Sequence, residues 1–338
     1  MNPMDRNLRD LLNAAAGEPP HQVTVEAVRH RARRRWRVQY LVTAAVVAVI
    51  AVLIPTGIGA VGHGLGLSAA GKSPGVSTYL GVFEPASGKG PPGYGPIEEF
   101  AKAAGKKPNL VGYYSGWNVP FPMSFADSMH SHGVIPLVQI DPSIASVAEI
   151  ADGGYDRYLR QYADAVRNFG HPVVIGFAHD MNAPWNSWGY RNIAPSTFVA
   201  AWRHIVNLFR NQGAQNVTWL WTIQADEPGT GPVSSLWPGA NYVTWVGIDG
   251  FYTKPSDSFI RIFARTIGQV RAFTGKPILL SETGVPINAN QLGNIFNLFN
   301  GITQYELLGI IWFDGHQYRI EDSALAERTF QDALSGRS

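Results

Sequence analysis

From Tyr40 to Val61 the chain carries no charged side chain, and those 22 residues at about 1.5 Å each reach roughly 33 Å, enough to cross a hydrocarbon core. Beyond Ser77 the pattern changes to short runs rich in β-branched and aromatic residues. Eight such runs occur, at 79–85, 109–117, 134–142, 172–182, 216–226, 242–252, 277–284 and 307–316. Between several of them apolar residues recur every three or four positions, predicting helices over 155–169, 196–212 and 258–274. Repeated strand and helix units predict a parallel sheet. A doubly wound open sheet also uses such units, but eight strands in some 260 residues favour a (β/α)8 TIM barrel.

Charge divides the chain at the same place. Residues 1–40 hold eight arginines against four acids, a local +4, so a total of +2 leaves −2 for the remainder. Arg29, Arg31, Arg33, Arg34, Arg35 and Arg37 precede the apolar run, and the first charge after it is Lys72. The positive-inside rule therefore predicts a cytoplasmic region over 1–39, a single N-terminal transmembrane helix and signal anchor over 40–61, a flexible linker over 62–77 and an extracytoplasmic domain over 78–338. A cleaved signal peptide, which would leave the domain secreted, competes with the anchor, but the apolar run is longer than such peptides use. The near-neutral domain offers no basic surface for nucleic acid. Cysteine is absent, which excludes disulfides and thiolate chemistry.

Barrel enzymes work at the carboxyl ends of their strands. Here those ends carry Phe83 and Glu84, Tyr114 and Trp117, Gln139 and Asp141, His179 to Asn182, Gln224 and Asp226, Asp249 and Tyr252, Glu282, then Trp312 and Asp314. Two ends, around Asp180 and Glu282, offer a carboxylate between groups suited to hold it. Glycoside cleavage with retention uses two carboxyls about 5 to 5.5 Å apart. Tryptophans at 117, 185, 188 and 312 add apolar faces on which a sugar ring could stack. His130 and His132 make a weak metal pair, so neither a metal nor a cofactor is expected. A serine hydrolase is unsupported, since no G-x-S-x-G elbow occurs.

The segments GFAHDMNAPWNSWGY (176–190), WPGANYVTWVGIDGFY (237–252), PILLSETG (277–284) and IIWFD (310–314) together resemble glycoside hydrolase family 26 over roughly residues 78–335. The resemblance implies a β-mannanase-like enzyme, with β-1,3-xylanase and mixed-linkage glucanase as further family activities. It implies Asp180 as acid/base, Glu282 as nucleophile, and His179, Trp185, Tyr252 and Trp312 around the sugar, to which strand-end position adds Asn182, Trp117 and Asp249. One departure stands out: the family motif reads His-Glu-Met-Asn, and here Asp180 replaces the glutamate. The expectation is a monomeric retaining endo-β-glycosidase acting on β-1,4-mannan or a related glycan. The alternative, which Asp180 raises, is a weak or inactive carbohydrate-binding pseudoenzyme that handles cell-surface polysaccharide.

Overall fold

The computed structural model describes residues 79–85 and 90–336, so the expected cytoplasmic region, anchor and linker at 1–39, 40–61 and 62–77 lie outside the described residues. Among the described residues no helix is long and apolar enough to cross a membrane.

Eight parallel strands close a barrel in chain order: β1 (Tyr79–Phe83), β2 (Leu110–Gly116), β3 (Ile135–Asp141), β4 (Val173–Phe177), β5 (Val217–Gln224), β6 (Trp245–Asp249), β7 (Ile278–Thr283) and β8 (Gly309–Phe313). Each falls inside one of the eight apolar runs. Closure is made by β8 pairing with β1, from Tyr79 opposite Gly309 to Phe83 opposite Phe313. Side chains alternate between the two surfaces of the wall with period two. Leu110, Leu137, Val174, Leu220, Leu279 and Ile311 point inward and pack on one another, forming the apolar floor of the barrel. The alternate positions face outward into a larger apolar shell beneath the helices. With both faces covered, every strand is apolar almost throughout, as buried parallel strands are.

The helices are α1 (Tyr94–Ala104), α2 (Met123–Ser131), α3 (Val147–Ala151), α4 (Asp156–Phe169), α5 (Pro195–Asn211), α6 (Arg265–Arg271), α7 (Gln291–Gln304) and α8 (Ala324–Ser335). α4 turns Leu159, Tyr162, Ala163, Val166 and Phe169 to the wall and stops at Gly170, whose φ of 69° suits a residue without Cβ. α5 begins on Pro195, where the missing N–H costs no helical hydrogen bond.

Two details differ from the sequence reading. The stretch 258–274 is a π turn (Ile260–Ala264) running into α6, rather than one uniform helix. The run 172–182 is a five-residue strand followed by a turn, because Ala178 (φ 51°) and Asp180 (φ 55°) leave extended geometry. Between β5 and β6 only short 3-10 turns, Val233–Leu236 and Ala240–Tyr242, cover the wall. Trp221 fills that space edge-on against Trp237 and Phe273.

Candidate active site

The turn after β4 is fixed from several directions. Ala178 N–H donates to Ile140 O at 2.9 Å and Asp180 N–H to Thr222 O at 3.1 Å, docking the turn onto β3 and β5. Asn182 accepts from Gln224 N–H and donates to Gln224 O, both at 2.8 Å, so its amide is engaged by the β5 backbone. His179 is fully buried, with Nδ1 2.7 Å from Asp141 Oδ1, and its carbonyl accepts from Trp188 Nε1 at 2.8 Å. Left-handed backbone is rare outside glycine but is several-fold commoner at aspartate and asparagine. An aspartate at position 180 is therefore easier to hold there than the longer acid.

On β7 the decisive feature is a bulge. Gly247 lies opposite Leu279 but Asp249 opposite Glu282, and on the other side Leu280 pairs Ile310 while Thr283 pairs Trp312. One extra residue is thus inserted in β7. Leu279 and Ser281 face inward by period two, and the insertion turns Glu282 inward as well. Tyr114 Oη donates to Glu282 Oε1 at 3.1 Å, and Ser281 Oγ donates to Asp249 Oδ1 at 2.6 Å.

A polar layer consequently rests on the apolar floor. Gln139 Nε2 donates to Thr222 Oγ1 at 2.8 Å beside Ser281, Asp249, Tyr114 and Glu282. Glycines make room for it. A Cβ on Gly176 would lie 1.7 Å from Gln139 Oε1, and one on Gly247 would lie 2.4 Å from Ser281 Oγ. A small cavity opens between Phe83, Tyr114, Gln139 and Glu282 over Leu137 and Ile311. Asp180 is 1 % and Glu282 5 % exposed, so a polymer reaches them only if side chains at the mouth rearrange.

The expected site residues divide into two groups. His179, Asp180, Asp249 and Glu282 gather at the carboxyl ends of the strands, and Trp185 stands partly exposed in the loop beyond the β4 turn. Trp117, Tyr252 and Trp312 require correction, because their side chains belong to the outer shell. Trp117 is fully buried against Tyr155, Tyr158 and Phe177, facing α4. Tyr252 donates to Asn297 on α7 at 2.9 Å. Trp312 donates to Tyr318 O at 2.9 Å and meets Phe330 of α8 edge-on. Asn182 is likewise a brace of the turn. Parity explains the misplacement: Leu110, Gly112 and Tyr114 share the inner face of β2, as Ile311 and Phe313 do on β8. The residues passed over are therefore Tyr114, Phe83 and Phe313, whose rings meet at the mouth with centroids 4.9 Å and 5.1 Å apart.

A second acidic group lies at the seam of the barrel, where Glu84 follows β1 and Asp314 follows β8. Burial raises Glu84 to about 7 against the ordinary carboxylate range. Burial, then the like charges of Glu84 and Glu321, raise Asp314 to about 10.

Residues 139–277 match the family model described as Glycosyl hydrolase family 26. Endoglucanase H of Acetivibrio thermocellus is 29 % identical over 263 residues, covering 72 % of this chain and 29 % of that protein. Mannan endo-1,4-beta-mannosidase A and B of Caldalkalibacillus mannanilyticus is 27 % identical over 135 residues, 36 % of this chain and 24 % of the relative. The chain thus spans less than a third of the length of these curated relatives. In structure it resembles the Bacillus subtilis YdhT protein (TM-score 0.60, 19 % identity, 76 % of this chain and 86 % of that one). It also resembles the Bacillus subtilis mannanase man26 (TM-score 0.57, 17 % identity, 76 % and 86 %). At such identities these two likenesses establish the fold alone.

Proposed function

For a barrel of the glycosyl hydrolase family 26 type, β-mannanase-like in its motifs, we propose retaining endo-hydrolysis of β-1,4-mannan or a closely related β-glycan. The observation that carries this reading is the bulge that turns Glu282 into the barrel mouth against Tyr114, with the Asp180 turn docked on β5.

In the proposed course, Asp180 protonates the glycosidic oxygen as Glu282 attacks the anomeric carbon. The leaving sugar departs with that proton, and a covalent glycosyl ester remains on Glu282. Asp180, now a carboxylate, takes a proton from water, whose oxygen displaces Glu282 from the sugar. Tyr114 fixes the Oε1 of the nucleophile, and Asp141 fixes the ring of His179 beside the acid. Trp185, partly exposed, supplies an apolar wall for a neighbouring sugar ring. Asp249, gripped by Ser281, faces the same space. No cofactor takes part, and the enzyme acts as a monomer. The stretch 40–61 anchors the chain with its amino terminus in the cytoplasm and the barrel outside.

The test is incubation of the full chain, purified in mild detergent, with mannan, β-1,3-xylan and mixed-linkage glucan. Short oligosaccharides of retained anomeric configuration from at least one polymer, abolished in Glu282→Ala, are expected. No product from any polymer counts against the proposal.

Asp180 favours one second reading, a carbohydrate-binding protein with little turnover. An acid one methylene shorter stands farther from the bond it must protonate, and about 1 Å of misplacement costs about a hundredfold in rate. An aryl β-glycoside with a good leaving group needs no protonation in the first step. A burst of aryl alcohol from a chain that leaves polymers intact would favour this second reading.

A further inference from the structure

The acidic group at the barrel seam lies outside the machinery just described. We propose that Glu84, Asp314 and Glu321 bind one calcium ion that fastens the end of β1 to the end of β8 and to the segment leading into α8.

The three carboxylates come from distant parts of the chain and converge because the barrel closes. Phe83 and Phe313 are paired across the β1–β8 seam, and Asp314 N–H donates to Phe83 O at 2.9 Å. Glu84 and Asp314 therefore leave the seam side by side. Glu321 arrives from the stretch just before Ser323, the residue that caps α8. One oxygen from each acid lies within 4.8 Å of the others. Calcium binds oxygen at about 2.3 to 2.6 Å, so two ligands on opposite sides of one ion stand roughly 4.6 to 5.2 Å apart. Magnesium demands near-ideal octahedral geometry and gives up its waters reluctantly, whereas calcium accepts an irregular set of carboxylates. With oxygen donors only, the group suits a hard cation better than zinc or copper.

Burial supplies the second argument. Glu84 is 4 % and Asp314 1 % exposed. Among the described residues no hydrogen-bond donor reaches either oxygen of Asp314, Oε1 of Glu84, or either oxygen of Glu321. A buried carboxylate without a partner is strongly unfavourable, so such a group calls for an occupant. Arg319 supplies too little charge. Its guanidinium stands 3.7 Å from Glu321 and 3.7 Å from Asp322, dividing one positive charge between them. Without an ion, crowding of the acids is relieved by protons, which burial and like charge hold on Asp314 and in part on Glu84. A divalent ion would displace those protons and neutralise the three carboxylates that Arg319 alone does not balance. Protons shared within the group, where Asp314 meets both Glu84 and Glu321, are the rival occupant. Up to six carboxylate oxygens together with water suffice for calcium's six to eight ligands.

The test is calorimetric titration of the EDTA-stripped full chain with calcium chloride, together with thermal unfolding with and without the ion. One ion per chain is expected, with Kd in roughly the micromolar to sub-millimolar range. A rise in Tm of roughly 5 °C or more is expected near a hundred times Kd. Magnesium chloride should bind at least tenfold more weakly. Glu321→Gln should weaken calcium at least tenfold. Asp314→Asn, which keeps the shape and removes a charge, should melt no lower than the ion-free parent and show no response to calcium. The proposal is overturned if the folded parent takes up no calcium, if magnesium binds equally well, or if both variants bind as the parent does. Absence of uptake would leave the shared proton as occupant.

Discussion

Replacing Asn182 by alanine tests whether the turn carrying Asp180 is held by β5. The Asn182 amide makes two hydrogen bonds of 2.8 Å to the backbone of Gln224, and the side chain is almost wholly buried. Each bond contributes about 1 kcal/mol net, and a buried backbone group left without a partner costs about 1 to 3 kcal/mol. With partial entry of water into the space, Asn182→Ala should cost about 2 to 4 kcal/mol, read from urea unfolding monitored by tryptophan fluorescence. Asn182→Asp keeps the acceptor for Gln224 N–H but sets a second oxygen against Gln224 O. It should cost at least as much as alanine. The kinetic consequence follows from position, since Asp180 lies two residues upstream and is tied to the same strand through Thr222. A displacement of about 1 Å should lower kcat on polymer about a hundredfold. An aryl glycoside with a good leaving group should lose far less, because its first step does not use the acid. The reasoning is refuted if both variants unfold within about 0.5 kcal/mol of the parent, or if polymer and aryl substrate lose activity equally.

Gly176→Ala would place a methyl group on Gln139 Oε1 and break the Gln139–Thr222 bond, with an expected cost of about 2 to 4 kcal/mol. In urea unfolding, adding Gln139→Ala should recover part of that loss. Trp312→Ala should cost about 3 to 5 kcal/mol as a core truncation and leave KM for soluble oligosaccharides within about twofold. Trp185→Ala, at the partly exposed tryptophan, should do the opposite, raising KM with stability held within about 0.5 kcal/mol. Reversal of that pair would show that the inner and outer faces of β8 have been misassigned.

The number and approximate place of the strands were legible because parallel strands buried on both faces read as unbroken apolar runs. Side-chain direction was less accessible. Strand-end position singles out Asp180, just after β4, and Glu282, near the end of β7, but the same reasoning also offers Trp117 and Trp312 as sugar contacts. Counting by twos from Leu110 and Ile311 assigns both to the outer face, and nominates Tyr114 and Phe313 instead. The same count fails for Glu282, since only the bulge, invisible in SETG, brings it inward. The β4 turn was hidden for a related reason: Ala178 and Asp180 adopt backbone angles that residue type leaves open. The seam acids were separated by some 230 positions, and Glu84 and Asp314 meet only through the β1–β8 pairing that closes the barrel.

The bulge in β7 also sets how tightly the mouth is tied together. A regular strand offers the barrel interior one side chain in every two, so a reacting group and its support normally come from different strands. Their separation then varies as the barrel breathes. Here Ser281, which grips Asp249, and Glu282 are consecutive residues facing the same space, with Cα atoms about 3.8 Å apart by covalent geometry. Motion between β6 and β7 is therefore transmitted to the nucleophile through a peptide bond. The spacing between support and nucleophile is set by chain connectivity, which heat and core mutations leave unchanged, whereas their common position in the mouth remains open to both.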